Sequence, residues 1–193
     1  MKSSFVVVVL LLAAIAQERS DLGRYTKCRF TSDFQIVQTD RLPRPMSRSI
    51  EAKAGNKAVH MLDGYRVLIT YAQEEPFVNM KVEQLAPSSF SADKQALIEN
   101  LGVIASQSQG MESTKPEERR VGPFESYGID RKQLEGGVLS IYTLFNDGQH
   151  TVTTIYFLNA DPTERKFHTV EAYRKLRDDF LTQYGACAAD ASK

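Results

Sequence analysis

The most concentrated polar chemistry in the chain lies on one strand-like segment. In Phe77–Leu85 the apolar residues Val78, Met80 and Val82 alternate with Asn79, Lys81 and Glu83. A period of two places each set on its own face of a strand. An amide, an ammonium and a carboxylate in one row can hold a polar ligand on a rigid support. A solvated sheet face or a strand edge shows the same pattern. If that face is covered, Lys81 and Glu83 must pair with each other or with a ligand, because buried charges need partners. Tyr127, Asp130 and Arg131 form a second candidate set for ligand binding. They lie around Gly128 and read as a loop, where polar residues often bind.

No residue pattern points to catalysis. The chain has no G-x-S-x-G, P-loop, G-x-G-x-x-G or H-E-x-x-H sequence, so the usual signatures of a nucleophile elbow, a phosphate cradle or a zinc-dependent protease are missing. No carboxylate stands alone in an apolar run, where a raised pKa would fit acid–base work. His60, His150 and His168 are the only histidines, and their spacing makes no helical or hairpin metal clamp. The reading predicts no catalytic residue, no metal and no cofactor.

The two cysteines gain meaning from the chain's beginning. Lys2 is followed by the uncharged run Phe5–Ala16, which ends in Ala14-Ile15-Ala16 and then polar Gln17-Glu18-Arg19. A basic start, a short apolar run and an A-x-A site make a secretory signal peptide cleaved after Ala16. The run is shorter than the roughly 20 residues that cross a bilayer. Export to a periplasmic or extracellular space favours a disulfide between Cys28 and Cys187. That bond would close a loop of about 160 residues and stabilise the fold by up to about 5 kcal/mol in the chain-entropy model. Two free thiols are the alternative. No C-x-x-C is present, and Cys187 sits among Gly185, Ala186, Ala188 and Ala189, poor surroundings for an activated thiol.

Composition narrows the class. The 193 residues carry 24 Lys+Arg and 24 Asp+Glu, with 42% hydrophobic and 25% charged residues. These values fit one globular domain and argue against collagen, coiled coil or wholesale disorder. A neutral balance argues against a nucleic-acid partner, which would call for a basic excess or stripe. Removal of Lys2 with the signal peptide leaves 23 basic against 24 acidic residues. After the signal peptide, nothing is apolar enough to span a membrane.

The expected organisation is a signal peptide (1–16), an N-terminal arm and linker (17–49), a single domain (50–188) and a C-terminal tail (189–193). The arm begins as a mobile lead-in, and Asp40–Ser49, with Pro43 and Pro45, reads as an extended connector. Arg41, Arg44 and Arg48 could make a basic patch there, but three arginines without aromatic residues are a weak signal and a solvated linker is the favoured reading. Asp63-Gly64, between two apolar runs, predicts a hairpin turn of two strands, Lys57–Leu62 and Tyr65–Tyr71. Gln73–Pro76 reads as a second turn before the Phe77–Leu85 strand. A helix capped by Ser91 should carry Leu97, Leu101, Ile104 and Ala105 on one stripe. Arg119–Tyr127 holds a short strand interrupted by Gly122-Pro123.

Val138–Phe145 and Gln149–Leu158 predict a second hairpin. Leu139, Ile141 and Phe145 face one way and Tyr142 and Leu144 the other, so it should be covered on both sides. Asp161-Pro162-Thr163-Glu164 has the residues of a helix start. The main C-terminal helix is expected from about Thr169 to Tyr184, with Val170, Tyr173, Leu176, Phe180, Leu181 and Tyr184 as its apolar stripe. The elements add up to an α+β domain: an antiparallel β-sheet flanked by helices, an α/β/α sandwich with two hairpins and a long C-terminal helix.

Over about residues 48–185 this element order resembles the PsbP-like domain family. Tyr127-Gly128-Ile129-Asp130-Arg131 and Thr154-Ile155-Tyr156-Phe157-Leu158-Asn159 look like signatures of that family. The resemblance implies an extracytoplasmic accessory or assembly protein rather than an enzyme, and it assigns no functional residue. Three functions compete. The first is an exported non-catalytic accessory or interaction module with a protein or small-ligand partner in the cell envelope. The second is a small-molecule or lipid carrier with a cleft between sheet and helix. The third, a hydrolase with scattered residues, has no positive support in the sequence.

Overall fold

Strands β7 (Gly137–Asn146) and β8 (Thr151–Asn159) pair as an antiparallel hairpin that is buried almost throughout. Side chains that are apolar on both faces require cover on both faces, and this requirement sets the plan of the molecule. The computed structural model describes residues 22–31, 33–43, 46–72, 75–131, 137–159 and 167–191. The signal segment 1–16 and the Asp161–Glu164 helix start lie outside the described residues.

The remaining strands are β1 (Phe34–Arg41), β2 (Met46–Ala52), β3 (Gly55–Tyr71), β4 (Pro76–Leu85), β5 (Glu117–Val121) and β6 (Phe124–Asp130). The sheet runs β1-β3-β4-β8-β7-β6-β5, with β2 also paired to β3, and each of these pairings is antiparallel. Helix α1 (Phe90–Gln107) covers one face and helix α2 (Val170–Ala191) the other. Leu97, Leu101 and Ala105 of α1 are buried at helical spacing. They meet Val59, Met61, Val152, Ile129 and Ile141. On the opposite face Tyr173, Phe180, Leu181 and Tyr184 of α2 meet Met80, Val82, Ile155 and Phe157. The α+β sandwich expected from the sequence is therefore the observed fold.

Asp63-Gly64 is not a hairpin turn. Strand β3 runs straight through it for 17 residues, and Gly64 is not among the residues with positive φ. The site is instead a bulge, where the register with β4 slips between Met61 and Asp63. One extra residue reverses the alternation of the strand. Val59 and Met61 therefore face α1, whereas Val67 and Ile69, at the same parity, face α2. Leu62, the extra residue, is turned outward and exposed. The real turn is two residues long, between Ala52 and Gly55, and Gly55 takes a φ of +97°.

A bulge also corrects the expected orientation of Leu139. The register between β7 and β8 slips between Val138 and Ser140, which turns Leu139 to the α2 face with Tyr142 and Leu144.

The segment read as arm and linker contributes two strands to the sheet. Strand β2 pairs with the first half of β3 and β1 with the second. Nor is the lead-in loose where it is described: Leu22 and Tyr25 are buried in the α2-side core. Cys28 and Cys187 are joined in a disulfide. Beside it, Gln183 Oε1 accepts a 2.8 Å hydrogen bond from the backbone N–H of Thr31. The N-terminal segment is thus fastened to the last turns of α2.

Candidate functional site

Strand β4 carries Asn79, Lys81 and Glu83 toward α1, where the antiparallel register sets them beside Tyr156, Thr154 and Val152 of β8. Asn79 accepts a 3.1 Å hydrogen bond from Arg66 Nε. Lys81 Nζ stands 6.0 Å from the centre of the Tyr156 ring. Glu83 is 0% exposed. Its partner is not Lys81 but Arg48, whose Nη2 lies 3.1 Å from Glu83 Oε2. The arginine placed in a solvated linker by the sequence reading therefore belongs to β2 and reaches over the sheet. Gly64 makes room for this arrangement. It pairs with Glu83 across the strands, and a Cβ there would stand 3.0 Å from Leu42 and 3.4 Å from Glu83 Cγ.

Next to this ion pair is a cleft of about 150 Å³ between the sheet and α1. Ile141, Thr143, Thr154 and Tyr156 form its floor. Leu97, Asn100, Leu101 and Ile104 cover it from α1, and Arg48 and Ile50 of β2 make its wall. Asn100 anchors helix to wall by donating a 2.8 Å hydrogen bond to the Glu51 carbonyl. None of Asn79, Lys81 and Glu83 lines the cleft directly. They stand behind or beside the residues that do.

Three buried polar atoms here lack a hydrogen-bond partner: Arg48 Nε, Glu83 Oε1 and Thr154 Oγ1. A buried donor or acceptor without a partner costs about 1–3 kcal/mol. Burial pushes the Glu83 carboxyl above the ordinary carboxylate range, and Arg48 and Lys81 pull it back only in part. Burial likewise raises the Tyr156 hydroxyl. The arrangement can hold a polar head by hydrogen bonds and a short apolar body by contact.

The second predicted set does not come together. Tyr127 and Asp130 belong to strand β6 rather than a loop, and their parity sends them to opposite faces. Tyr127 faces α1 and donates a 2.6 Å hydrogen bond to Glu125. That bond, with burial, pushes its hydroxyl up to about 12. Glu125 also receives Lys94, 2.7 Å away. Asp130 faces α2, where it binds Arg177 and accepts a 3.1 Å hydrogen bond from the Tyr142 hydroxyl. Arg131 forms an isolated bridge with Met111, and its N–H donates to the Leu139 carbonyl at 3.0 Å.

Of the histidines, His60 Nδ1 lies 3.9 Å from Asp93, and His150 meets the Phe90 ring edge-on. Among the described residues no group of three His, Cys, Asp or Glu side chains could hold a metal ion. No described helix is long and apolar enough to cross a membrane.

No protein-family model matches the chain, and no curated protein and no solved structure matches it.

The sequence offered a cleft between sheet and helix but not its lining, because the wall comes from β2 and the cover from α1, with lining residues more than 40 positions apart. One signal was available. Thr143, Thr154 and Tyr156 are among the polar or amphipathic positions of these buried strands, and such positions ask for a partner, although Ser140, Thr151 and Thr153 share that property without lining the cleft.

Proposed function

We propose that the chain is an exported, non-catalytic accessory module that receives a small ligand between α1 and the sheet. The observation that carries this reading is the cleft itself, lined by apolar side chains of α1 and the sheet together with Arg48, Asn100, Thr143, Thr154 and Tyr156. An apolar pocket with a few convergent polar groups is the common form of a small-molecule site. At about 150 Å³ the cleft is smaller than the roughly 300–1,000 Å³ of sites for drug-sized ligands. It suits a fragment-sized molecule or the head of a larger one, not an enclosed lipid tail.

Export rests on the signal-peptide pattern at residues 1–16 and is supported by the Cys28–Cys187 bond, which persists in oxidising compartments. The resemblance to PsbP-like domains supports an accessory role in the same compartment. The envelope component that this module serves is a protein or small ligand.

Two measurements test the reading. Addition of a fragment panel to the oxidised protein should move the methyl resonances of Leu97, Leu101 and Ile141 before those of the α2-side core. A panel that moves none of them overturns the cleft reading. The secreted product should lack residues 1–16 by intact mass, and retention of Met1 overturns export.

A further inference from the structure

The chain contains two Asp-Gly dipeptides, Asp63-Gly64 and Asp147-Gly148. Such a pair can react with itself, because glycine puts no side chain in the way of its own nitrogen. The Gly nitrogen attacks the Asp carboxyl carbon and a C–N bond forms. Water leaves, made from one carboxyl oxygen, the amide proton and a proton from solvent. Water then opens the five-membered imide at either carbonyl and returns Asp or gives isoaspartate. The balance needs nothing but water.

The fold treats the two dipeptides differently. Gly64 pairs with Glu83 of β4, and its carbonyl accepts a 2.9 Å hydrogen bond from the Leu42 N–H. Arg41 holds both oxygens of Asp63, at 3.2 and 2.9 Å. The Gly64 N–H points at Asp63 Oδ1, 2.9 Å away, which aims the hydrogen at the oxygen rather than the nitrogen at the carbon. An extra main-chain carbon there would break the register of β3. Asp147 and Gly148 lie instead in the loop 147–150, beyond the Asn146–Thr151 pair that closes the β7–β8 hairpin. The Asp147 side chain is 64% exposed, against 18% for Asp63. Open space of about 350 Å³, lined by Pro123, Phe124, Asn146 and Gly148 among others, adjoins it. That space admits water and lets the loop change shape. Lys94 of α1 holds both Asp147 oxygens, at 2.9 and 3.0 Å, but divides itself with Glu125 at 2.7 Å.

We infer that Asp147-Gly148 is a site of spontaneous isoaspartate formation, with Lys94 as its brake, and that the sheet protects Asp63-Gly64. The product has one more carbon in the main chain and one fewer in the side chain. Its carboxylate therefore leaves Lys94, and α1 loses this tie to the β7–β8 loop.

The test is to age the full oxidised protein at neutral pH in heavy-oxygen water, folded and in urea, and to map isoaspartate by electron-transfer fragmentation of its peptides. The folded protein should form isoaspartate at 147 severalfold faster than at 63, with one heavy oxygen gained per event. In urea the two sites should convert at similar rates. Lys94→Met should speed the folded protein severalfold at 147. Gly148→Ala should slow it severalfold, and the fold accepts the change, since φ is not positive there and the new Cβ would stand 3.6 Å from Asn146 Oδ1. Equal folded rates at 63 and 147 overturn the inference. So does a folded protein without isoaspartate at 147 once the urea sample has formed it. An unchanged rate in Lys94→Met removes the brake.

Discussion

The two faces of the sheet each hold an arginine–carboxylate pair with one fully buried member, Glu83 on one face and Arg177 on the other, and the pairs are finished to different degrees. On the α2 face Arg177 is clasped by Asp130 and Asp178, and all three guanidinium nitrogens have a carboxylate partner. Its guanidinium carbon lies 5.4 Å from the Tyr142 ring centre and 5.7 Å from that of Tyr173. Arg119, paired with Asp178 at 3.0 Å, stands 5.5 Å from the same Tyr142 ring. A void on that face, near Tyr25 and Tyr184, measures about 10 Å³, room for about one water. On the α1 face Arg48 and Glu83 share one close contact, leave an atom each unmatched, and adjoin about 150 Å³ of open space. The difference lies in the guanidinium groups themselves: Arg177 is fully paired with carboxylates, whereas Arg48 holds its carboxylate by one contact beside open space.

The largest expected effect concerns what holds the α2 face shut. Replacing both cysteines by serine should cost up to about 5 kcal/mol, because the bond closes a loop spanning a separation of 159 residues. Urea unfolding measures this. Hydrogen exchange should show the loss first at α2, and equal loss at α1 would break the contrast between the faces.

Arg177→Met leaves Asp130 buried without its cation and should cost about 3–5 kcal/mol. Arg48→Met should cost less. Arg48 keeps 25% side-chain exposure, and Glu83 can take up a proton in place of its partner. Equal urea midpoints for the two variants would show that the two pairs are not different in kind.

Gly128→Ala sharpens the packing side of the comparison. A Cβ at that position would run into the Tyr142 ring, which lies flush against the glycine. The variant should lose about 1–3 kcal/mol by overpacking, with the Tyr142 and Arg177 resonances moving and those of the cleft unchanged.

Glu83→Gln should have the smallest effect at neutral pH, but it gives a distinctive pH dependence. The folded protein holds the Glu83 proton more tightly than the unfolded chain does, since its pKa is raised from 4.5. Stability from this group is present in full below about 4.5 and declines as the pH rises through the higher folded value. The stability of the native protein relative to Glu83→Gln should therefore fall from pH 4 to pH 8. A flat or rising difference in urea unfolding would show that Glu83 is an ordinary stabilising carboxylate.

Much of the fold was legible because local rules acted unopposed. The stripe of Leu97, Leu101 and Ala105 marked α1, observed at Phe90–Gln107 with Ser89 rather than Ser91 at its cap. The stripe from Tyr173 to Tyr184 marked α2, which continues to Ala191. The β7–β8 hairpin and the break at Gly122-Pro123 were found close to their observed limits. Asp63-Gly64 misled because its local preference for a turn was outweighed by pairing. Strand β3 gains β2 and β1 along one edge and β4 along the other by continuing. Asp63 is then held by Arg41, 2.9 Å away. Of the candidate site, Glu83 was expected to need a partner once its face was covered, but Lys81 or a ligand was expected in that place and Arg48 was passed over as linker.

Alternation, helical stripes and the two cysteines, read from the chain alone, determined an α+β sandwich and which segments must be buried. The tertiary structure alone decided which face each half of β3 serves, that Tyr127 and Asp130 part company, and that Arg48 meets Glu83. The reason is geometric. Side-chain period is local, but a single bulged residue inverts the facing of all that follows it. The partner of a buried charge is set by whichever strand or helix lies across from it, and no spacing along the chain encodes that distance.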